Sequence, residues 1–165
     1  MRQALQQAAL AVEAGEVPVG AIVVRAQTVI GRAYNQVELL KDPTAHAEMI
    51  AITQAASAIG DWRLTEGTLY VTKEPCPMCA GAIALARIPR VVFGAYEPHP
   101  GFASRRRAVA ALCRAAEAEG SAGASNSGAI KAPEVQGGVL EKECRDLLQG
   151  FFKAARAQAT DSSPQ

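Results

Sequence analysis

Between residues 68 and 95 the chain reads as strand, helix, strand, and this unit constrains the fold more than any other stretch. Thr68 to Thr72 (TLYVT) alternates and is rich in β-formers. A helix follows from Pro77 to about Arg87, with proline in the first turn, where its missing N–H costs nothing. Arg90 to Ala95 (RVVFGA) then returns as a strand. Such a unit implies parallel pairing through a right-handed crossover, so the chain belongs to the α/β class. The join between its first strand and its helix reads Pro75-Cys76-Pro77-Met78-Cys79. Two cysteines three apart at a helix start can point at one metal ion.

A third ligand is available upstream in His46-Ala47-Glu48, at the start of another predicted helix. His46, Cys76 and Cys79 would leave one tetrahedral position open, as in zinc sites that activate water. Glu48, two residues past His46, is placed to move that water's proton. Helix N-termini favour thiolates through their free N–H groups and the positive end of the dipole. Taken singly, each feature has a plainer reading. A C-x-x-C also suits a redox pair or half of a four-ligand structural zinc. His46 also suits a cap or a core position, and Glu48 a solvated helix face. The remaining cysteines, Cys113 and Cys144, form no second C-x-x-C pair and read as small apolar residues on helix faces. His99, the other histidine, lies in a proline-rich stretch and reads as surface.

The length of 165 residues fits one domain with a real core. Seventeen Lys and Arg against sixteen Asp and Glu leave a formal charge of +1, so a polyanion would have to be held by a local basic patch. No apolar run is long enough for a membrane span, and the N-terminus lacks a signal-peptide profile, so the expected location is cytoplasmic.

Upstream, residues 2–14 read as a helix with Leu5, Ala8, Ala9 and Val12 on one face. Pro18 to Val24 and Thr28 to Tyr34 read as strands joined by a tight turn at Ala26-Gln27, and residues 35–44 as a loop. Residues 45–59 read as a helix with Thr44 as its N-cap, ended by Gly60-Asp61. Residues 104–119 suit an Ala/Arg-rich helix, residues 120–128 a mobile loop, and residues 138–156 a final helix. The expected architecture is a three-layer α/β/α sandwich around a mixed sheet. It forms a single domain over residues 1–156, with a partly mobile segment at 102–132 and a disordered tail at 157–165.

H-x-E followed by P-C-x-x-C is the signature of zinc-dependent nucleobase deaminases. More narrowly, the chain resembles the bacterial tRNA-specific adenosine deaminases. The resemblance rests on residues 16–21 (EVPVGA), Tyr34-Asn35, residues 42–48 (DPTAHAE), 68–82, Arg87-Ile88, 90–95, and Phe151-Phe152 with Arg156. It implies a cytidine-deaminase-like fold with a five-stranded sheet, and hydrolytic conversion of the wobble adenosine of an anticodon to inosine. By the same resemblance His46, Cys76 and Cys79 hold one zinc ion per subunit and Glu48 shuttles protons. Asn35 reads the flipped base, beside Pro18, Val19, Gly20, Ala47 and Glu97. The implied partners are a tRNA anticodon stem-loop and a second copy of the chain in a homodimer.

The match departs from the family after Ala95, where Glu97 stands in place of an aspartate and the following lysine is absent. Residues 102–132 match nothing in the family. Arg105, Arg106 and Arg107, with Lys73, Arg87, Arg90 and Lys153, suit either a phosphate-contacting patch or a solvated helix face. Two rival functions stay open: deamination of a free base of guanine or cytosine type at the same metal site, and a catalytically silent RNA-binding partner subunit.

Overall fold

The computed structural model describes residues 1–96 and 132–161, the last three as backbone alone. Glu97, His99, Arg105, Arg106, Arg107, Cys113 and nearly all of the segment 102–132 lie outside the described residues, as do residues 162–165. The described chain runs α1 (Arg2–Glu13), β1 (Gly20–Arg25), β2 (Thr28–Tyr34), α2 (Val37–Leu40), α3 (Ala47–Ile59), β3 (Thr68–Lys73), α4 (Pro77–Leu85), β4 (Arg90–Ala95), β5 (Glu134–Gln136) and α5 (Glu141–Asp161).

The five strands form one sheet in the order β2-β1-β3-β4-β5. β1 pairs antiparallel with both β2 and β3, whereas β3–β4 and β4–β5 are parallel. The sheet is therefore mixed, as expected. β1 and β2 form a hairpin whose turn residues Ala26 and Gln27 both have positive φ, 46° and 64°. That is the backbone a two-residue hairpin turn needs to match strand twist.

Helices cover both faces. Ala21 and Val23 of β1 pair with Val71 and Leu69 of β3, and all four pack with Ala47, Ala51 and Ala55 of α3 and Ile83 of α4. Alternate residues face the other way, where α1 lies on β1 and α5 on β4. Close approach explains the small residues on these faces. A Cβ on Gly31 would overlap the Ala51 carbonyl of α3, and one on Gly94 would overlap the Cys144 sulfur of α5. The result is the three-layer α/β/α sandwich that the sequence predicts.

Several local expectations are corrected. Helix α1 buries Ala4, Ala8 and Ala11, while Leu10 and Val12 face outward. Alanines face inward because Gly20 lets the helix backbone approach the sheet at Ala4 and Ala8. Thr44 does not cap α3; the N-cap is His46. The Thr44 amide and hydroxyl instead both donate to Asp42 Oδ1, each at 2.7 Å, closing a local turn. Residues 35–44 contain the short helix α2 instead of being loop throughout. β1 starts at Gly20, two residues later than expected. Helix α4 stops at Leu85, because Arg87 turns left-handed at φ 56°. Helix α5 starts at Glu141, after left-handed turns at Gly138 and Leu140, and runs on to Asp161 through good helix formers such as Ala157 and Gln158. Among the described residues no helix is long and apolar enough to cross a membrane.

Candidate metal centre

Two helix starts meet beyond the ends of β2 and β3. After β2, the amide of Gln36 donates to the Ala45 carbonyl at 3.0 Å, closing the α2 loop on itself and delivering His46 to the start of α3. After β3, the amide of Glu74 donates to the Ala95 carbonyl at 2.9 Å and carries the β3–β4 register to the edge of the site. Cys76 then caps α4, Pro77 begins it, and Cys79 lies in its first turn. Both capping residues are extended, with ψ of 150° at His46 and 169° at Cys76, and neither uses its side chain as a cap. The imidazole and the thiol are thus left to meet each other.

His46 Nδ1 lies 3.6 Å from Cys76 Sγ and 3.5 Å from Cys79 Sγ, and the two sulfurs are 3.5 Å apart. Bonds of about 2.3 Å to sulfur and about 2.0 Å to nitrogen, set tetrahedrally, place such atoms roughly 3.5–3.8 Å apart. The triangle therefore fits a zinc ion, and these three side chains form a group able to hold a metal.

The electrostatics agree with that fit. The thiol of Cys79 donating to Cys76, followed by the His46 contact, brings Cys76 down to about 3. Cys79 is pushed up, first by that same bond and then by burial. The Cys79 proton, the second to leave the pair, departs only against the repulsion of the Cys76 thiolate and of Glu48. A divalent cation between the sulfurs removes that repulsion. His46 is raised, chiefly by its hydrogen bond to Cys76.

Glu48 sits in the first turn of α3 and is 4% exposed. Burial raises its carboxyl above the usual range, opposed by a hydrogen bond from its own amide and by His46. A carboxyl held closer to neutrality, with a hydrogen bond to Cys79, has the properties of a proton carrier.

The other expected site residues fall into two groups. Asn35 follows β2 and is 7% exposed; its amide donates to the Val19 carbonyl at 2.9 Å, joining it to the Pro18–Gly20 lead-in of β1. Pro18 and Gly20 are buried, and the Gly20 amide donates to Thr72 Oγ1 at 3.1 Å. Ala47 is fully buried beside His46. Glu97 lies outside the described residues. Sequence reasoning missed Glu16. It is fully buried, accepting from Asn35 Nδ2 at 3.0 Å and from the Leu39 amide at 2.7 Å. The available signal was a carboxylate at the threshold of the apolar run Val17 to Val24.

Comparisons with known proteins agree on one chemistry. A family model described as MafB19-like deaminase matches residues 1–156. The tRNA-specific adenosine deaminase of Bacillus subtilis strain 168 is 44% identical over 156 residues, covering 94% of this chain and 88% of its own. A solved structure from a study of A-to-I editing by tRNA:A34 deaminases at the wobble position of transfer RNA superposes with a TM-score of 0.74 at 38% identity, covering 90% of this chain and 97% of that one. A guanine deaminase from Bacillus subtilis gives a TM-score of 0.57 at 38% identity, over 63% of this chain and 67% of its own.

Proposed function

Because the chain belongs to the MafB19-like deaminase family, and within it to the tRNA-specific adenosine deaminases, we propose that it hydrolyses the wobble adenosine of a tRNA anticodon to inosine and ammonia. The observation that carries this reading is the compact triangle of His46, Cys76 and Cys79 with the buried Glu48 beside it. His46 Nδ1 and the two sulfurs would hold zinc, leaving Glu48 off the metal. Zinc, when bound, supplies a Lewis acid that makes water a competent nucleophile near neutral pH.

The chain's own groups carry the rest. Glu48 takes a proton from the attacking water, delivers it to a ring nitrogen of the purine, and passes the second proton to the departing amine. The burial that raises its pKa suits both halves of that task. Asn35 and the backbone of Pro18 to Gly20 hold the base, with Ala47 against its edge. A loop nucleotide is already partly unstacked, so drawing it into the site costs less than from a duplex. Phosphate contacts, with Arg87, Arg90, Lys73 and Lys153 as candidates, make RNA binding salt-dependent.

A second copy of the chain completes the proposed assembly. The outer side of the α3–α4 layer carries an apolar groove lined by Ile52, Ala56, Trp62, Ala82 and Leu85, with Leu85 66% and Trp62 52% exposed. An exposed apolar surface of this kind favours burial between subunits. The expected location remains the cytoplasm, where tRNA is modified.

The likeness to a guanine deaminase keeps one rival specific. Zinc-loaded protein incubated with an anticodon stem-loop, and separately with guanine and cytosine, decides between them. Inosine in the stem-loop with stoichiometric ammonia supports the proposal; ammonia from a free base beside an unaltered stem-loop overturns it.

A further inference from the structure

Asn35 is more than nine-tenths buried, yet its side chain makes one protein hydrogen bond, through Nδ2 to Glu16. Among the described residues no donor reaches its Oδ1. Buried amide oxygens are seldom left in this state without a partner outside the chain. Glu16 supplies the reason the amide stays this way round. Its carboxylate can only accept, and both oxygens are engaged, Oε2 by Asn35 Nδ2 at 3.0 Å and Oε1 by the Leu39 amide at 2.7 Å. Turning the amide over would set its oxygen against a carboxylate oxygen in a fully buried position. One face of Asn35 is therefore committed and the other presents an acceptor. The backbone on either side ties it to the site: Asn35 to Val19, and Gln36 to Ala45, next to His46.

Resting on the reading above, we propose that Glu16 is a positioning residue for substrate recognition. It locks the Asn35 amide so that Oδ1 accepts a hydrogen bond from a donor on the bound nucleotide, and the same carboxylate holds α2 at Leu39. A purine 6-amino group is such a donor, whereas the 6-oxo oxygen of guanine or of the product is not. The lock thereby favours substrate over product at the same pocket.

The test exploits the polarity of the Glu16–Asn35 pair. In E16Q the new amide can accept from Leu39 only by presenting its NH2 to Asn35, which must then turn over. In E16Q/N35D the introduced carboxylate accepts from that NH2 and again offers an oxygen to the substrate, with the pair's charge unchanged. The measurements are kcat/KM on an adenosine stem-loop, stem-loop affinity by fluorescence anisotropy, zinc content and melting temperature for wild type, E16Q, N35A, E16Q/N35A and E16Q/N35D.

We expect E16Q to lower kcat/KM at least tenfold with zinc content kept. E16Q should add less than threefold in the N35A background, and E16Q/N35D should recover at least tenfold over E16Q. A merely structural Glu16 would instead give independent losses in the cycle and no recovery in the exchange. Either result overturns the inference, as does an E16Q within threefold of wild type. Failure of wild type to deaminate the stem-loop defeats the functional reading itself, so the two failures are told apart.

Discussion

Glu48→Gln separates the proposed proton carrier from the His46, Cys76 and Cys79 group. The replacement is nearly isosteric, at a side chain 4% exposed, so packing is retained. The three side chains whose atoms are spaced 3.5–3.6 Å are left in place, and glutamine can still meet the Cys79 sulfur where the carboxyl did. General acid–base catalysis contributes about 10²–10⁴-fold, and one carboxyl serving two successive proton transfers places the loss toward the upper end, about 10⁴-fold. At about 1.4 kcal/mol per tenfold, that is roughly 5 kcal/mol of barrier. Inosine formation in single-turnover stem-loop assays, with zinc measured on the same sample, gives both readouts. Stability supplies a third. Burial holds the folded-state carboxyl above its ordinary value of 4.5, so the metal-free native protein binds this proton more tightly than the unfolded chain. That contribution is full below 4.5 and is lost as pH rises through the raised folded value. Metal-free E48Q lacks the group, so its melting temperature relative to wild type should climb across that window and level off above it. A variant within a few-fold of wild-type rate at full zinc occupancy refutes the shuttle role. A melting difference that is flat with pH refutes the electrostatic account.

Cys79→Ala removes a proposed ligand from a fully buried position and should abolish zinc binding. Zinc at a hundred times its dissociation constant adds about 2.7 kcal/mol to the native state, so wild type should melt roughly 5–11 °C lower with chelator while C79A does not respond; an unresponsive wild type contradicts the metal site. Gly94→Ala forces a methyl against Cys144 and the Thr72 carbonyl of β3 and should cost roughly 1–3 kcal/mol, read by urea denaturation; an unchanged midpoint means the α5 contact is looser than described. Leu85→Asp places a charge in the apolar groove on the outer α3–α4 face and should convert a dimer to a monomer by light scattering; a mass equal to wild type's shows that this face is not the interface.

The chemistry was more legible than the carpentry around it. His46, Cys76 and Cys79 could be paired from sequence because each stands at a helix start, and helix starts aim short polar side chains at a common point. Strand β4 was found with its observed ends because Arg90–Ala95 is a compact apolar run between breakers. Strand β5 went unlocated because Glu134, Val135 and Gln136 are all exposed and carry no alternation. The inward face of α1 was misjudged because hydrophobicity ranks leucine and valine above alanine, whereas the close approach at Gly20 favours the smaller side chain. Glu16 stayed hidden for a related reason: charged residues beside a glycine ordinarily mark a solvated helix end. Its burial follows from two donors, Asn35 and Leu39, that arrive from distant parts of the chain.

The bond between Gln36 and Ala45 has a further consequence. It pinches together the base of a short excursion whose tip displays Leu39 and Leu40, 62% and 55% exposed. Asn35 and His46 sit just outside the pinch, so the exposed side chains of Leu39 and Leu40 can change while the Leu39 amide still reaches Glu16 and both neighbours keep their places. Side-chain changes at Leu39 and Leu40 that keep this backbone should therefore leave the His46, Cys76 and Cys79 triangle intact, read as unchanged zinc content.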